Sequence, residues 1–322
     1  MEEKVLMLLR EKTNMYVSGE EVSRTLQVSR TAIWKYIGRL REKGYTIDSS
    51  PRRGYCLRAV PDLLIPFEIR HGLTTELLGR KIYAYATIDS TNRRARELAQ
   101  DGASDGTIVV AEMQTEGRGR LGREWNSPQG GIWLSLILRP QIQPFKVQSI
   151  TLLTAVVAAE TTELIADVAV GIKWPNDLLL HGKKVAGILT EVSAEMDCVR
   201  YLIVGIGLNA NVAITSFPES VKDIATSLLV QTGQAVQRTE WVRIFLQRFE
   251  QEYNYVVQHG FSAILKRWRE YSITLGQDVV VHCAGQRIVG HAVDINEQGA
   301  LLVETANGIE AFWAGEVSLH NE

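Results

Sequence analysis

The spacing of apolar residues changes along this 322-residue chain and separates a helical head from a mixed body. Val5, Leu8 and Leu9 stand at i, i+3 and i+4, which predicts a first amphipathic helix. Ser18 and Glu21 have capping-box spacing and open a short helix with Val22 and Leu26 inward. Ser29 is the N-cap of a third helix whose core stripe is Ile33, Ile37 and Leu40, with Arg30, Thr31, Trp34 and Lys35 on another face. Gly44 ends that helix, and YTIDSSPRRGYCLR follows as two extended runs around a Pro-Arg-Arg-Gly turn. Helix, short turn, basic helix and basic hairpin predict a winged helix-turn-helix.

Beyond residue 60, strand-like and helical patterns alternate. VPDLLIPFEIR at 60–70 carries two prolines and reads as a linker. KIYAYAT (81–87), a helix opened near Ser90-Thr91-Asn92, TIVVAEMQT (107–115), GIWLSLIL (131–138) and a long apolar helix near 146–166 come next. GIKW, KKVAGILTEV and RYLIVGIGLN follow, with hairpin-like turns at 181–184 and 194–198, so the sheet is expected to be mixed or largely antiparallel. The segment from TEWVRIF to KRWREY predicts one or two helices. In the last fifty residues short strands meet turn signals every eight to ten positions, the pattern of a small SH3-like β-barrel. The expected class is α+β, with domains at 1–62, 66–272 and 274–322.

Composition narrows the setting. The nearest approach to a bilayer-spanning run is LLTAVVAA at 152–159, a buried-helix length, and MEEKVLMLL lacks the basic start of a signal peptide. Cys56, Cys198 and Cys283 are too dispersed for a disulfide framework or a metal site. A cytoplasmic protein without a membrane partner is expected. The net charge of −2 conceals an asymmetry: residues 1–60 hold 12 Lys+Arg against 7 Asp+Glu, out of 35 and 37 in the whole chain. A basic head on an acidic body points to DNA as the head's partner. Arg39, Arg52 and Arg53 would contact phosphates, while Ser29, Arg30, Thr31, Trp34 and Lys35 would lie near base edges. One such head makes few contacts, so a homodimer on two half-sites is expected. A helical bundle with an ordinary charged surface is the plainer alternative.

Motifs for common chemistries are missing from the sequence. It has no P-loop, HExxH, CxxC or nucleophile elbow, and GIGLN at 205–209 supplies only two of the Rossmann glycines. What remains is Ser90-Thr91-Asn92, Gln114, EGRGRLGREW at 116–125, KWPND at 173–177 and Lys184 before Val-Ala-Gly. Taken singly these are a helix cap, a turn, a solvated lysine and a Gly/Arg tract of the kind that binds single-stranded RNA. Three arginines and three glycines within 117–123 need an anion, whether nucleic acid, free phosphate or a reactive intermediate.

Together, DSTN at 89–92, EGRGRLGREW, KWPNDLLL at 173–180, KKVAGILTE at 183–191 and GIGLNAN at 205–211 resemble the bifunctional biotin–protein ligases that also repress the biotin operon. The resemblance spans nearly the whole chain and implies a central domain of the class II synthetase, biotin-ligase-like kind. It implies that ATP, with Mg²⁺, activates biotin as biotinyl-5′-AMP and that a lysine of a biotin carboxyl carrier protein then takes the biotinyl group. Arg118, Arg120 and Lys184 would be catalytic. Biotin would meet these three with Ser90, Thr91, Asn92, Gln114, Gly117, Gly119 and Gly187, and Trp133 would help cover its apolar part. ATP or the adenylate would meet Arg118, Arg120, Arg123, Trp125, Asn176, Asp177 and Asn209. Metal ligands are unassigned, with Asp177 only a candidate neighbour. The Gly/Arg segment would be mobile when empty, close over the adenylate and so link corepressor to dimer. A lipoate-type ligase, a metabolite-binding repressor without catalysis and a ligase with a purely structural head remain open.

Overall fold

The computed structural model describes residues 1–195, 198–283, 285–313 and 315–319. The chain divides into two units, Met1–Leu63 and Leu64–Glu322.

In the first unit, α1 (Glu2–Glu11), α2 (Gly19–Leu26) and α3 (Arg30–Glu42) precede the antiparallel hairpin of β1 (Thr46–Ser50) and β2 (Gly54–Ala59). Ser29 caps α3 by accepting the Ala32 N–H, and Ile33, Ile37 and Leu40 are buried as the spacing predicts. Three details differ. Leu6, rather than Leu8, joins Val5 and Leu9 in the core. Leu26 is only partly buried. Ser18 accepts the Glu21 N–H, but the Glu21 carboxylate turns outward to Lys12 Nζ at 2.6 Å. The wing is tied back to the start of α2, where Val17 and Tyr55 exchange backbone hydrogen bonds. Gly54 sits there at φ +101°, and a Cβ on it would lie 2.0 Å from Val17 O.

The second unit opens with α4 (Pro66–Arg70), where a linker was expected. Pro66 occupies the first helical turn, and Glu68 and Ile69 are buried. Next come β3 (Ile82–Ile88), α5 (Thr91–Gln100), β4 (Ile108–Gln114), β5 (Ile132–Leu138), α6 (Val147–Ala166), β6 (Gly171–Lys173), β7 (Asp177–Leu180), β8 (Lys183–Glu195) and β9 (Cys198–Leu208). The seven strands form one sheet in the order β3-β4-β5-β9-β8-β7-β6, and only β3 and β4 run parallel. His181 and Gly182 both take positive φ between β7 and β8, the geometry that a two-residue hairpin turn needs. The tip of the predicted 194–198 turn, Met196 and Asp197, lies outside the described residues.

Period-two alternation assigns the two faces of this sheet. Ile132, Leu134, Leu136 and Leu138 of β5, with Leu202, Val204, Ile206 and Leu208 of β9, pack in the main core. That core is closed by α6 and, after the short α7 (Leu228–Thr232), by α8 (Arg238–His259) and α9 (Ser262–Tyr271). Pro144–Ala166 is long and apolar enough to cross a bilayer, yet 72% of its apolar window is buried in this core. On the opposite face, α5 covers Val109, Ile137, Tyr201 and Ile203 through Ala95, Leu98 and Ala99.

Glu250 of α8 is 6% exposed and accepts the backbone N–H groups of Glu76, Leu77 and Leu78 at 2.5–2.8 Å. A carboxylate with three donors holds that turn more firmly than an amide, which has a single acceptor oxygen. Glu250→Gln is expected to destabilise the unit by about 2 kcal/mol, lowering its melting midpoint by about 5 °C in a calorimetric scan.

The chain ends in β10 (Asp278–Cys283), β11 (Gln286–Ile295), β12 (Leu301–Thr305), β13 (Gly308–Phe312) and β14 (Glu316–Leu319). They form a small antiparallel sheet in the order β13-β12-β11-β10-β14, with no ladder joining its outer strands among the described residues. Ala284, Ala314 and His320–Glu322, within the predicted barrel, are outside the described residues. Trp174 Nε1 donates to Gly299 O at 3.1 Å and Arg269 binds Asp294 and Ile295 O, which fixes this sheet to the body.

Candidate active site

A cleft of about 1010 Å³, counting its open mouth, lies on the same sheet face as α5, beyond the N-terminus of that helix and over β8 and β9. Neighbouring strands place Asp177, Gly187, Gly207 and Trp133 in one cross-strand row, and Leu189, Gly205 and Ser135 in the next. Three glycines in these rows leave a floor without side chains. A Cβ at Gly207 would lie 2.5 Å from Trp125 Nε1, and one at Gly205 would lie 2.1 Å from Asn92 Oδ1.

The N-terminus of α5 forms one wall. Ser90 caps the helix by accepting the Arg93 N–H. Gln114 Oε1, at the end of β4, accepts from Thr91 N at 2.7 Å and lies 3.0 Å from Thr91 Oγ1, while its Nε2 donates to Ser127 Oγ at 2.7 Å. Asn92 donates to Glu191 Oε2 at 2.8 Å and to Leu189 O. Arg93 binds Glu116 and Asp89, and these carboxylates, Glu116 foremost, hold its guanidinium above its usual pKa. That pairing fastens the start of the Gly/Arg segment to α5.

The segment itself is a hairpin. Trp125 N donates to Gly117 O, Gly119 N to Arg123 O and Arg123 N to Arg120 O, and Leu121 sits at the tip in the left-handed region, 79% exposed. Gly117 is at the hairpin base, where a Cβ would lie 2.3 Å from Trp125 O. Arg120 Nη1 donates to Asn176 Oδ1 at 3.1 Å, and Asn176 Nδ2 donates to Ile188 O at 2.7 Å, so KWPND links hairpin to sheet. Lys184 Nζ is 2.8 Å from Asp177 Oδ1 and 5.1 Å from the Trp125 ring.

Ser90, Thr91, Asn92, Gln114, Arg118, Gly119, Arg120, Arg123, Trp125, Asn176, Asp177, Lys184 and Gly187 all line this cleft. Three expected residues do not. Gly117 is beneath the hairpin. Asn209, 3% exposed, follows the last residue of β9 and turns inward, donating its amide to Thr226 O at 3.0 Å. Trp133 is fully buried, folded over Gly131 with Nε1 donating to Pro128 O, and Trp125 is the indole that stands over the glycine floor. The sequence reading missed Lys173, Gly205, Gly207, Gly315 and Val317 among the lining residues. Gly205 and Gly207 had a signal in GIGLN, but its meaning depends on the strand register. Among the described residues that line the cleft, Arg118, Arg120, Arg123, Lys173 and Lys184 outnumber the carboxylates Glu124 and Asp177, a concentration of positive charge in an acidic body. The described residues include no group of three His, Cys, Asp or Glu that could hold a metal ion.

In the head, Ser29, Arg30, Thr31, Trp34, Lys35, Arg39, Arg52 and Arg53 are all exposed, Trp34 at 65%. Several are already engaged. The Ser29 hydroxyl caps α3, Arg30 pairs with Glu20 at 2.9 Å and Arg53 stacks on Tyr16 at 4.0 Å. Arg39 meets Glu2 at 3.2 Å, and Lys43, with Arg39, holds that carboxylate below its usual pKa against the opposing cost of burial. Exposed pairs of this kind are weak enough to exchange for phosphate.

Residues 84–209 match the biotin/lipoate A/B protein ligase family, residues 2–56 an HTH domain and residues 274–320 the biotin protein ligase C-terminal domain. The chain is 41% identical over 316 residues to the bifunctional ligase/repressor BirA of Bacillus subtilis (strain 168), covering 98% of this chain and 97% of that protein. Identity to the Escherichia coli (strain K12) bifunctional ligase/repressor BirA is 31% over 305 residues, 94% and 93% of the two chains. The biotin protein ligase from Aquifex aeolicus, solved in complex with biotin and ATP, is similar with a TM-score of 0.65 at 32% identity, covering 75% of this chain and 99% of that one.

Proposed function

Because the chain belongs to the biotin–protein ligase family, among its bifunctional ligase/repressors, we propose that the cleft binds biotin and ATP, makes biotinyl-5′-AMP and passes the biotinyl group to a carrier lysine. The observation that carries this reading is the convergence of five cations above a glycine floor, beside the polar Thr91–Gln114–Ser127 chain. Two anions must meet there. A carboxylate oxygen of biotin bonds to the α-phosphorus of ATP as the α–β bridging bond breaks and pyrophosphate leaves. Arg118 and Arg120 offset the charge on carboxylate and phosphate oxygens, and Lys184, kept in place by Asp177, follows the carboxylate to the bridging oxygen. In the second step the carrier lysine attacks the acyl carbon and AMP departs. Mg²⁺ would arrive with ATP, and Asp177, the candidate neighbour, is paired with Lys184.

The polar corner favours biotin over lipoate. A ureido ring offers N–H and C=O groups to Thr91, Gln114 and Ser90, whereas a dithiolane offers no such group. ATP–pyrophosphate exchange supported by biotin and not by lipoate is the expected result. Exchange with lipoate alone, or with neither acid, would overturn this reading.

The head, on this proposal, binds operator DNA as a homodimer with the adenylate as corepressor, in a cytoplasmic setting. The hairpin, packed around bound adenylate, would become part of the dimer surface and bring two heads to a two-fold operator. Sedimentation and operator affinity that do not respond to the adenylate would contradict this. Arg39, Arg52 and Arg53 are expected to contact phosphates. Loss of one such contact in Arg52→Ala should lower the slope of log affinity against log salt by about 0.9 without changing the preferred sequence.

A further inference from the structure

Carboxylates neutralise many of the head's cations. Lys12 pairs with Glu21, Arg30 with Glu20, Arg39 and Lys43 with Glu2, and Arg58 with Asp48. Arg53, the last residue of the wing's turn, has no carboxylate partner among the described residues. Its guanidinium carbon instead lies 4.0 Å from the centroid of the Tyr16 ring. An aromatic face attracts a cation without neutralising it, so the side chain is held while its charge stays available to an anion.

The ring is itself fixed. Tyr16 is half-buried between α1 and α2, and it immediately precedes Val17, whose backbone exchanges hydrogen bonds with Tyr55 of the wing. Arg58 of β2 stands 5.6 Å from the centroid of the same ring. Its Nε is 2.7 Å from Asp48 Oδ2, and bonds to Asp48 and then to the Tyr16 hydroxyl hold its guanidinium above the usual pKa. With Arg58 neutralised by Asp48, Arg53 is the uncompensated cation that this ring meets. Arg30 and Arg39 must leave a carboxylate to reach a phosphate, whereas Arg53 need not. Ordering a free arginine side chain costs entropy, and here part of that ordering is complete before DNA arrives.

We infer that Tyr16 is a positioning residue for DNA binding: its ring holds Arg53 in place for a backbone phosphate of the duplex. The inference rests on the reading of the head as an operator-binding domain. It adds a residue outside both α3 and the wing on which a wing contact depends.

The test uses the full chain with biotinyl-5′-AMP and a DNA duplex that the unaltered chain enriches from a random-sequence pool. Tyr16→Leu should weaken binding about two- to fivefold, the range for a cation on an exposed ring. The slope of log affinity against log salt should not change, because Arg53 still reaches its phosphate. Arg53→Ala should lower that slope by about 0.9, and adding Tyr16→Leu to it should cost nothing more. Tyr16→Phe keeps the ring and should bind like the unaltered chain. If Tyr16→Leu does not fold, Tyr16→Met, which fills more of the ring's place, should show the same loss. In the unaltered chain, the NMR resonances of the Arg53 side chain should be displaced by the ring and stay displaced when DNA is added. A loss in Tyr16→Leu that persists in the Arg53→Ala background, an unchanged affinity in Tyr16→Leu, or a displacement that DNA abolishes would overturn the inference. A pool from which the unaltered chain enriches no duplex would instead overturn the operator-binding reading itself.

Discussion

Lys184→Met is expected to slow adenylate formation by about 10²–10³-fold, the usual cost of removing one donor aimed at developing charge. Methionine keeps the length of the side chain and its packing against Trp125, so the loss is of charge rather than of shape. It also exposes Asp177, whose carboxylate lies 2.8 Å from the ammonium, to incoming carboxylate and phosphate oxygens. Part of the loss should therefore return in Lys184→Met/Asp177→Asn. Rapid-mixing measurement of pyrophosphate release separates these effects from carrier binding. A Lys184→Met rate within tenfold of the unaltered chain would remove the lysine from the chemistry.

Arg120→Gly should act after the chemistry. The Arg120–Asn176 bond holds the hairpin against β7, and glycine removes both this tie and a guanidinium facing the cleft. Adenylate dissociation is expected to accelerate between about tenfold and about a hundredfold, the range for one charge-assisted hydrogen bond. The released mixed anhydride should then biotinylate lysines on bystander proteins, detectable by mass spectrometry. Carrier selectivity equal to that of the unaltered chain would contradict the view of the hairpin as a lid.

Much of this architecture is legible in the sequence because strand parity and helix caps are local. The alternation in IWLSLIL places Ile132, Leu134, Leu136 and Leu138 on one face, and Ser18, Ser29 and Ser90 all cap the helices they precede. Local pattern fails where several answers share one composition. In VLMLL every residue is apolar, so spacing cannot choose Leu6 over Leu8. Pro61 and Pro66 look alike in sequence, yet Pro66 begins a helix.

The cleft divides in the same way. Its polar residues were recognisable as motifs, and thirteen of those expected converge. Long-range register decided the others. Trp133 has the right parity to face the cleft, but the absent side chain at Gly131 lets its indole fold away. The Asp177–Lys184 pair spans a bulge between Leu178 and Leu179, which shifts the ladder by one residue and could not be counted from sequence. The contributions of Gly315 and Val317 depend on how the terminal sheet is fixed through Trp174 and Arg269, residues more than forty positions away.

The proposal that the cationic hairpin holds an activated acid is tested most directly in a single turnover. The full chain is mixed with biotin and ATP labelled at the α-phosphate, passed through a desalting column and then given a biotin carboxyl carrier domain. One label per chain should remain bound as biotinyl-5′-AMP and leave as AMP only when the carrier lysine becomes biotinylated. Label that never stays with the protein, or that departs as AMP at the same rate without a carrier, would contradict it.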